Sequence, residues 1–180
     1  LHASYPLDKF TRFGCHYRLR NSHVILDQDL LVGEDGQPTQ NAQYLQAQAD
    51  LSGLISAAGV SLIYDSTDSP ACPTDGFRSK LQLEYAGLGG DHHFWSFAYA
   101  NTFYYPLHKK GVIKLRADAR YLMPSYRTAK DQIPLDERLF LGGDNQIRGY
   151  RPYAIGPKFP GTTDPAGGIS LTLFSVEYNR

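Results

Sequence analysis

Between residues 77 and 87 the sequence changes character at almost every step, with Phe77, Leu81, Leu83 and Tyr85 set against Arg78, Lys80, Gln82 and Glu84. A two-residue period marks a strand with one apolar and one polar face, because successive side chains of a strand point to opposite sides. The rhythm recurs along the chain. From Lys9 to about Leu26, Phe13, Cys15, Tyr17 and Leu19 oppose Arg12, His16, Arg18 and Arg20. Over 54–65, Val60, Leu62 and Tyr64 oppose Gly59, Ser61 and Asp65. Over 93–104, Trp95, Phe97, Tyr99 and Phe103 oppose Ser96, Ala98, Ala100 and Thr102. Over 112–123, Ile113, Leu115, Ala117, Ala119 and Tyr121 oppose Lys114, Arg116, Asp118 and Arg120. Over 168–180, Phe174, Val176 and Tyr178 oppose Ser175 and Glu177.

About six long strands with no long helix between them form an all-β, antiparallel sheet. Residues 4–8 read as a tight turn, and the Pro-containing turns near 5–8, 67–76 and 105–111 are short. The connections at 27–53 and 124–167 are long. Within the first of these, the stretch from a capping Asn41 to a stop at Gly53 predicts a short loop helix. Short turns at one end and long loops at the other describe an outer-membrane barrel. A soluble barrel or sandwich alternates in the same way, since periodicity does not say which face is wet. Strand length and the aromatics near strand ends, Tyr17, Tyr64, Tyr85, Phe103 and Tyr121, favour the membrane. The negative mean hydropathy of -0.39 is compatible with that choice, because barrel strands never build a long apolar window.

With 18 basic and 18 acidic residues the net charge is zero. No overall basic field draws such a chain to nucleic acid. Cys15 and Cys72 have no close Cys or His at metal-ligand spacing, and their proximity to each other is not legible. Asp91-His92-His93 places adjacent side chains on opposite faces and offers no third ligand. Gly142-Gly143-Asp144 lacks the strand–glycine–helix setting and the Lys-Ser/Thr of a phosphate loop. The sequence offers no catalytic residues, cofactor or metal site, and the expectation is that the protein is not an enzyme.

Residues 139–158, LFLGGDNQIRGYRPYAIGPK, form a glycine-punctuated loop in which Arg148 stands between Ile147 and Gly149, with Tyr150 following. A cation framed by apolar neighbours reads either as a docking tip or as an ordinary solvated charge. Residues 137–158 resemble the signature of the BamA-type outer-membrane insertase family. There a Gly-Gly pair precedes a Val/Ile-Arg-Gly-Phe/Tyr tetrapeptide, and an Ile-Gly-Pro follows. Here these are Gly142-Gly143, Ile147-Arg148-Gly149-Tyr150 and Ile155-Gly156-Pro157. Three further pieces match in order: Pro73-Thr74-Asp75-Gly76, the aromatic-Tyr-Pro-Leu at 104–107, and the AGGISLTLFSVEY strand.

The resemblance implies that 1–180 is part of a single transmembrane β-barrel domain with its signature loop at 124–167. Periplasmic repeat domains and the first and last barrel strands would lie outside it. It implies an outer-membrane location, that of a Gram-negative cell or alternatively of an organelle, since mitochondrial and chloroplast relatives carry similar motifs. It also implies a function in folding and inserting other barrel proteins without nucleotide hydrolysis. The implied partners are unfolded outer-membrane proteins, accessory assembly subunits bound through the periplasmic domains, and the lipid bilayer. It also implies that Arg148 points into the lumen and pairs with Glu177, which alternation independently puts on the polar face. The related two-partner secretion transporters share the loop, although Ile155-Gly156-Pro157-Lys158 sits better with the insertase branch. A soluble ligand-binding barrel and a simple porin are the readings from other classes.

Overall fold

The computed structural model describes residues 1–23, 37–38, 42, 45–46, 52–107, 111–125, 133–160 and 163–179. Seven strands follow one another: β1 (His2–Pro6), β2 (Thr11–Ser22), β3 (Gly53–Asp65), β4 (Gly76–Ala86), β5 (Phe94–Leu107), β6 (Gly111–Pro124) and β7 (Ser170–Asn179). They pair antiparallel in chain order in one sheet, with β1 and β7 at its edges. Register carries the alternation across the sheet. Phe13 stands opposite Leu62, Leu62 opposite Leu81, Leu81 opposite Tyr99, and Tyr99 opposite Ala119. The apolar faces of separate strands thus merge into one surface.

The strand at 2–6 departs from the turn expected at 4–8, and the sheet has seven strands rather than about six. Five residues ending in proline carry too little alternation to be read alone. Pairing with β2, from His2 opposite His16 to Pro6 opposite Arg12, supplies what the local sequence lacks. Tyr105-Pro106-Leu107 likewise ends β5 instead of turning. Proline is tolerated at such strand ends, where its missing N–H breaks little of the ladder. The loop helix expected over 41–53 lies largely outside the described residues, and Gly53 opens β3.

One face of the sheet is apolar and exposed. Leu62, Leu83, Trp95, Phe97, Tyr121 and Val176 all present their side chains there, and Phe174 is 67% exposed. Aromatic rows border this face. Near the long-loop end, Tyr85 stacks on Trp95 with ring centroids 4.6 Å apart. At the other end Phe10, Tyr64 and Phe77 form a chain with centroid separations of 6.1 and 5.1 Å. Phe77 and Tyr85 on β4 are eight residues apart, about 26 Å along an extended strand. That suits the apolar band of roughly 25 Å that aromatic girdles flank in outer-membrane barrels. Among the described residues no helix is long and apolar enough to cross a membrane, which says nothing against crossing by strands.

Packing is concentrated on the opposite, inner face beneath the long 125–169 connection. Ile55, Ala57, Ala86, Phe94 and Leu122 are buried together with Ile133 of that connection, and Leu139 and Ile169 pack against them. The loop therefore returns over the sheet instead of projecting away from it.

The short turn at 66–75 shows why a Pro-Thr-x-Gly sequence belongs there. Thr74 donates from its hydroxyl and its backbone N–H to Asp68, at 2.6 and 2.8 Å. Gly76 has φ +101°, and a Cβ there would meet the Ser66 carbonyl oxygen at 2.5 Å. The hydroxyl of Thr74, then its N–H and that of Asp75, hold the Asp68 carboxyl at about 2. A lowered carboxyl pKa favours the folded turn above the ordinary value near 3.8, and the benefit fades as pH falls through the folded value. Pepsin nicking of this turn is expected to stay slow at pH 4 and to rise toward pH 2, with Asp68→Asn nicked already at pH 4. Equal rates for the two proteins at pH 4 would contradict this.

Candidate functional site on the inner wall

Alternation sends the charged residues of β2, β4, β6 and β7 to the inner face, where the long connection meets them. Arg18 of β2 is central. Its guanidinium donates from Nη1 to Glu137 Oε1 at 2.5 Å and from Nη2 to Glu137 Oε2 at 3.0 Å. The same Nη2 donates to Glu84 Oε1 of β4 at 2.7 Å. A planar fork that meets one carboxylate with two parallel bonds fixes direction as well as distance. Glu137 lies in the 3-10 turn Leu135–Glu137 of the connection, and its side chain is 9% exposed. Its neighbour Asp136 accepts from Arg20 at 2.9 Å and from the Ser22 hydroxyl at 3.1 Å. Two consecutive acids of the loop stalk thus close on three residues of β2.

Glu84 is shared. Its other oxygen lies 2.7 Å from His16 Nε2, so the carboxylate joins two residues of β2 although β3 runs between the strands. Gly59 of β3 makes this reach possible. It sits opposite both His16 and Glu84 in the register, and a Cβ there would collide with the His16 ring and meet the Leu83 carbonyl oxygen at 2.8 Å. Ala57, next along the inner face of β3, stands opposite Arg18. Small residues on the middle strand let long side chains span it.

The signature residues fold into a compact, internally hydrogen-bonded hairpin. Leu141 bridges to Ile155 and Gly143 to Ile147. The N–H of Ile147 donates to the Gly143 carbonyl at 2.9 Å, and that of Gly143 to the Tyr150 carbonyl at 3.1 Å. Gly142 has φ +128°, and a Cβ on it would run into the Arg151 carbonyl. Gly149 and Gly156 also have positive φ, and Pro157 accepts at its carbonyl from Ala166 N–H at 2.9 Å. Phe140 and Tyr153 meet edge to face at 5.1 Å.

At the tip, Arg116 of β6 donates to the Asn145 carbonyl at 3.1 Å. Arg148 and Tyr150 are exposed, and Arg148 has no ion pair among the described residues. Glu177 is on the inner face, as alternation requires, but its neighbour there is Lys114, directly opposite in the register and 3.3 Å away. Arg148 and Glu177 are thus not brought together in this piece of the sheet.

Arg18, Glu84, Asp136, Glu137 and Arg116 were not singled out by sequence reasoning. Alternation placed Arg18, Glu84 and Arg116 on the polar face, yet nothing local tells which acid an arginine meets 119 residues away. Among the described residues no group of three His, Cys, Asp or Glu is arranged to hold a metal ion. Both cysteines are free and exposed. Asp91 serves backbone geometry, accepting from Leu54 N–H at 2.7 Å.

Residues 10–179 match the Omp85 superfamily domain. The chain is 26% identical over 175 residues to the outer membrane protein assembly factor BamA of Nitratidesulfovibrio vulgaris, covering 96% of this chain and 20% of the relative. It is 30% identical over 94 residues to the BamA of Neisseria meningitidis serogroup B, covering 52% and 12%. A SAM50-like protein of Schizosaccharomyces pombe is 28% identical over 167 residues, covering 89% and 34%. The crystal structure of BamA from Haemophilus ducreyi lacking POTRA domains 1–3 shares the fold, with a TM-score of 0.69 at 18% identity over 98% of this chain and 35% of that one. The chain therefore spans about a fifth of the length of the first of these relatives, and its open seven-stranded sheet corresponds to part of a transmembrane barrel.

In the whole protein, Gly59→Ala should lower stability by about 1–3 kcal/mol, the usual cost of forcing an extra carbon into a filled site. The temperature of the folded-to-unfolded mobility shift in detergent electrophoresis reads this. In a His16→Ala background the same substitution should cost less, and an identical loss in both backgrounds would mean that the ring is not what Gly59 makes room for.

Proposed function

This chain belongs to the Omp85 superfamily, and from that premise we propose that it is part of an outer-membrane assembly factor that folds and inserts other β-barrel proteins without nucleotide hydrolysis. The observation carrying this is the match of residues 10–179 to the family domain together with an inner wall built to receive the signature loop. The outer membrane is the place where an exposed apolar face flanked by aromatic rows is stable. Substrates are unfolded outer-membrane proteins. Accessory subunits bind through periplasmic domains beyond this chain.

In this reading the loop 124–167 docks in the lumen and steadies the barrel for work done elsewhere on it, with Gly142, Gly143 and Gly149 shaping its turns. Arg148 takes an acidic partner on the wall, and Glu177 is suited to the part. Lys114 donates to its Oε2, and among the described residues no other cation is paired with it, so Oε1 is the oxygen offered to Arg148. A shielded Arg–carboxylate contact of this kind costs about 3–5 kcal/mol to break when well buried, and less where water enters.

Arg148→Ala in the full-length protein is expected to reduce the amount of folded barrel protein in the outer membrane several-fold, read by heat-modifiable electrophoresis of membranes from a complemented depletion strain. Reversing the charges of Arg148 and Glu177 together should restore part of the loss. Additive effects of the two substitutions would remove Glu177 as the partner. Loss of one exported polypeptide with barrel levels unchanged would replace the assembly reading with secretion.

A further inference from the structure

We infer that Arg18 is the positioning residue of the signature loop, holding it by its stalk rather than by its tip. The inference rests on the assembly reading only for its biological weight, since the geometry stands alone. The connection leaves β6 at Pro124, and its stalk reaches β2, four strands away in the sheet order. There Arg18 grips Glu137 with both terminal nitrogens while one of them also holds Glu84. Arg20 and Ser22 take Asp136. Immediately beyond, Arg138 donates to the Ile133 carbonyl of the stalk at 2.9 Å and to the Ala166 carbonyl of the returning arm at 3.1 Å.

The stalk is thus pinned on one side to β2 and on the other to the returning arm of the loop, and the hairpin that follows is closed by its own hydrogen bonds. The tip is held differently. Its described bond to the wall is a single one from Arg116 to a backbone carbonyl, and that arginine also serves Asp118. The position of the hairpin, and with it where Arg148 can reach, is dictated at Glu137.

Two charges of one sign on either side of a cation also decide what happens when the cation goes. Glu84 is 8% exposed and among the described residues would keep His16 as its partner, while Glu137 would lose both of its bonds from Arg18 and keep the longer contact with Arg20 at 3.6 Å. Two poorly hydrated carboxylates sharing one space repel each other. The stalk is then expected to lift off the wall.

The test uses the full-length protein in lipid nanodiscs, with Cys15 and Cys72 replaced by Ser and spin labels at Asp144 on the tip and Leu88 on the β4–β5 connection. A single narrow distance distribution is expected for the otherwise unchanged protein. Arg18→Ala and the milder, shape-preserving Glu137→Gln should broaden it. The exchanged pair Arg18→Glu with Glu137→Arg should narrow it again, because an arginine at 137 would face carboxylates at both 18 and 84. That rescue separates directed positioning from general loss of stability. An unbroadened distribution in both single variants, or no narrowing in the exchanged pair, overturns the inference. Broadened loop distances with assembly activity unchanged would count against the assembly reading and leave the role of Arg18 standing.

Discussion

Hydrocarbon offers no hydrogen bonds, so every peptide group of a chain that crosses it must be satisfied by another strand. That requirement explains the continuous ladder from β1 to β7, whose paired registers run almost the full length of each strand. It also explains why the fold is inverted relative to a water-soluble sheet. The large apolar side chains are exposed on the outer face, and the ion pairs are gathered on the inner one. With the backbone satisfied in this way, side chains are left to settle where the sheet ends, what its inner face holds and how the long connection returns.

The inner face works through contrast in side-chain size. β3 offers Ala57 and Gly59 there and β5 offers Ala98 and Ala100, while β2, β4 and β6 carry the arginines, lysines and acids. Charged chains on alternate strands would be too far apart to pair over a crowded neighbour. Over a glycine, His16 and Glu84 meet at 2.7 Å. Pairing of this sort is specific because an unpaired carboxylate in a partly buried site is costly, so the small residues on β3 help to determine which strand speaks to which.

How much of this the sequence disclosed follows from the range of each interaction. Period-two alternation is local, so the faces of β2 through β7 were readable residue by residue, and Glu177 was placed on the inner face correctly. β1 was not, because five residues acquire strand character only from their partner β2. The signature hairpin was legible as a loop with special glycines, and Gly142 with its positive φ and close carbonyl gives the physical reason. Its partners on the wall were not. Register between adjacent strands would have suggested that Lys114 meets Glu177, whereas the meeting of Arg18 with Glu137 depends on the path of a long connection over five strands.

That separation of 119 residues has a consequence for the order in which the structure can come together. Closing a loop of that length in a free chain costs about 4 kcal/mol in entropy, more than one ion pair returns while the chain around it is still unfolded and hydrated. The grip of Arg18 on Glu137 therefore cannot recruit its two ends from an unfolded chain. It forms once β2 through β6 already stand side by side and the distance has been closed for it by the ladder. The contact is late by construction, and a wall still missing a strand between β2 and β6 has no means of holding the stalk in place.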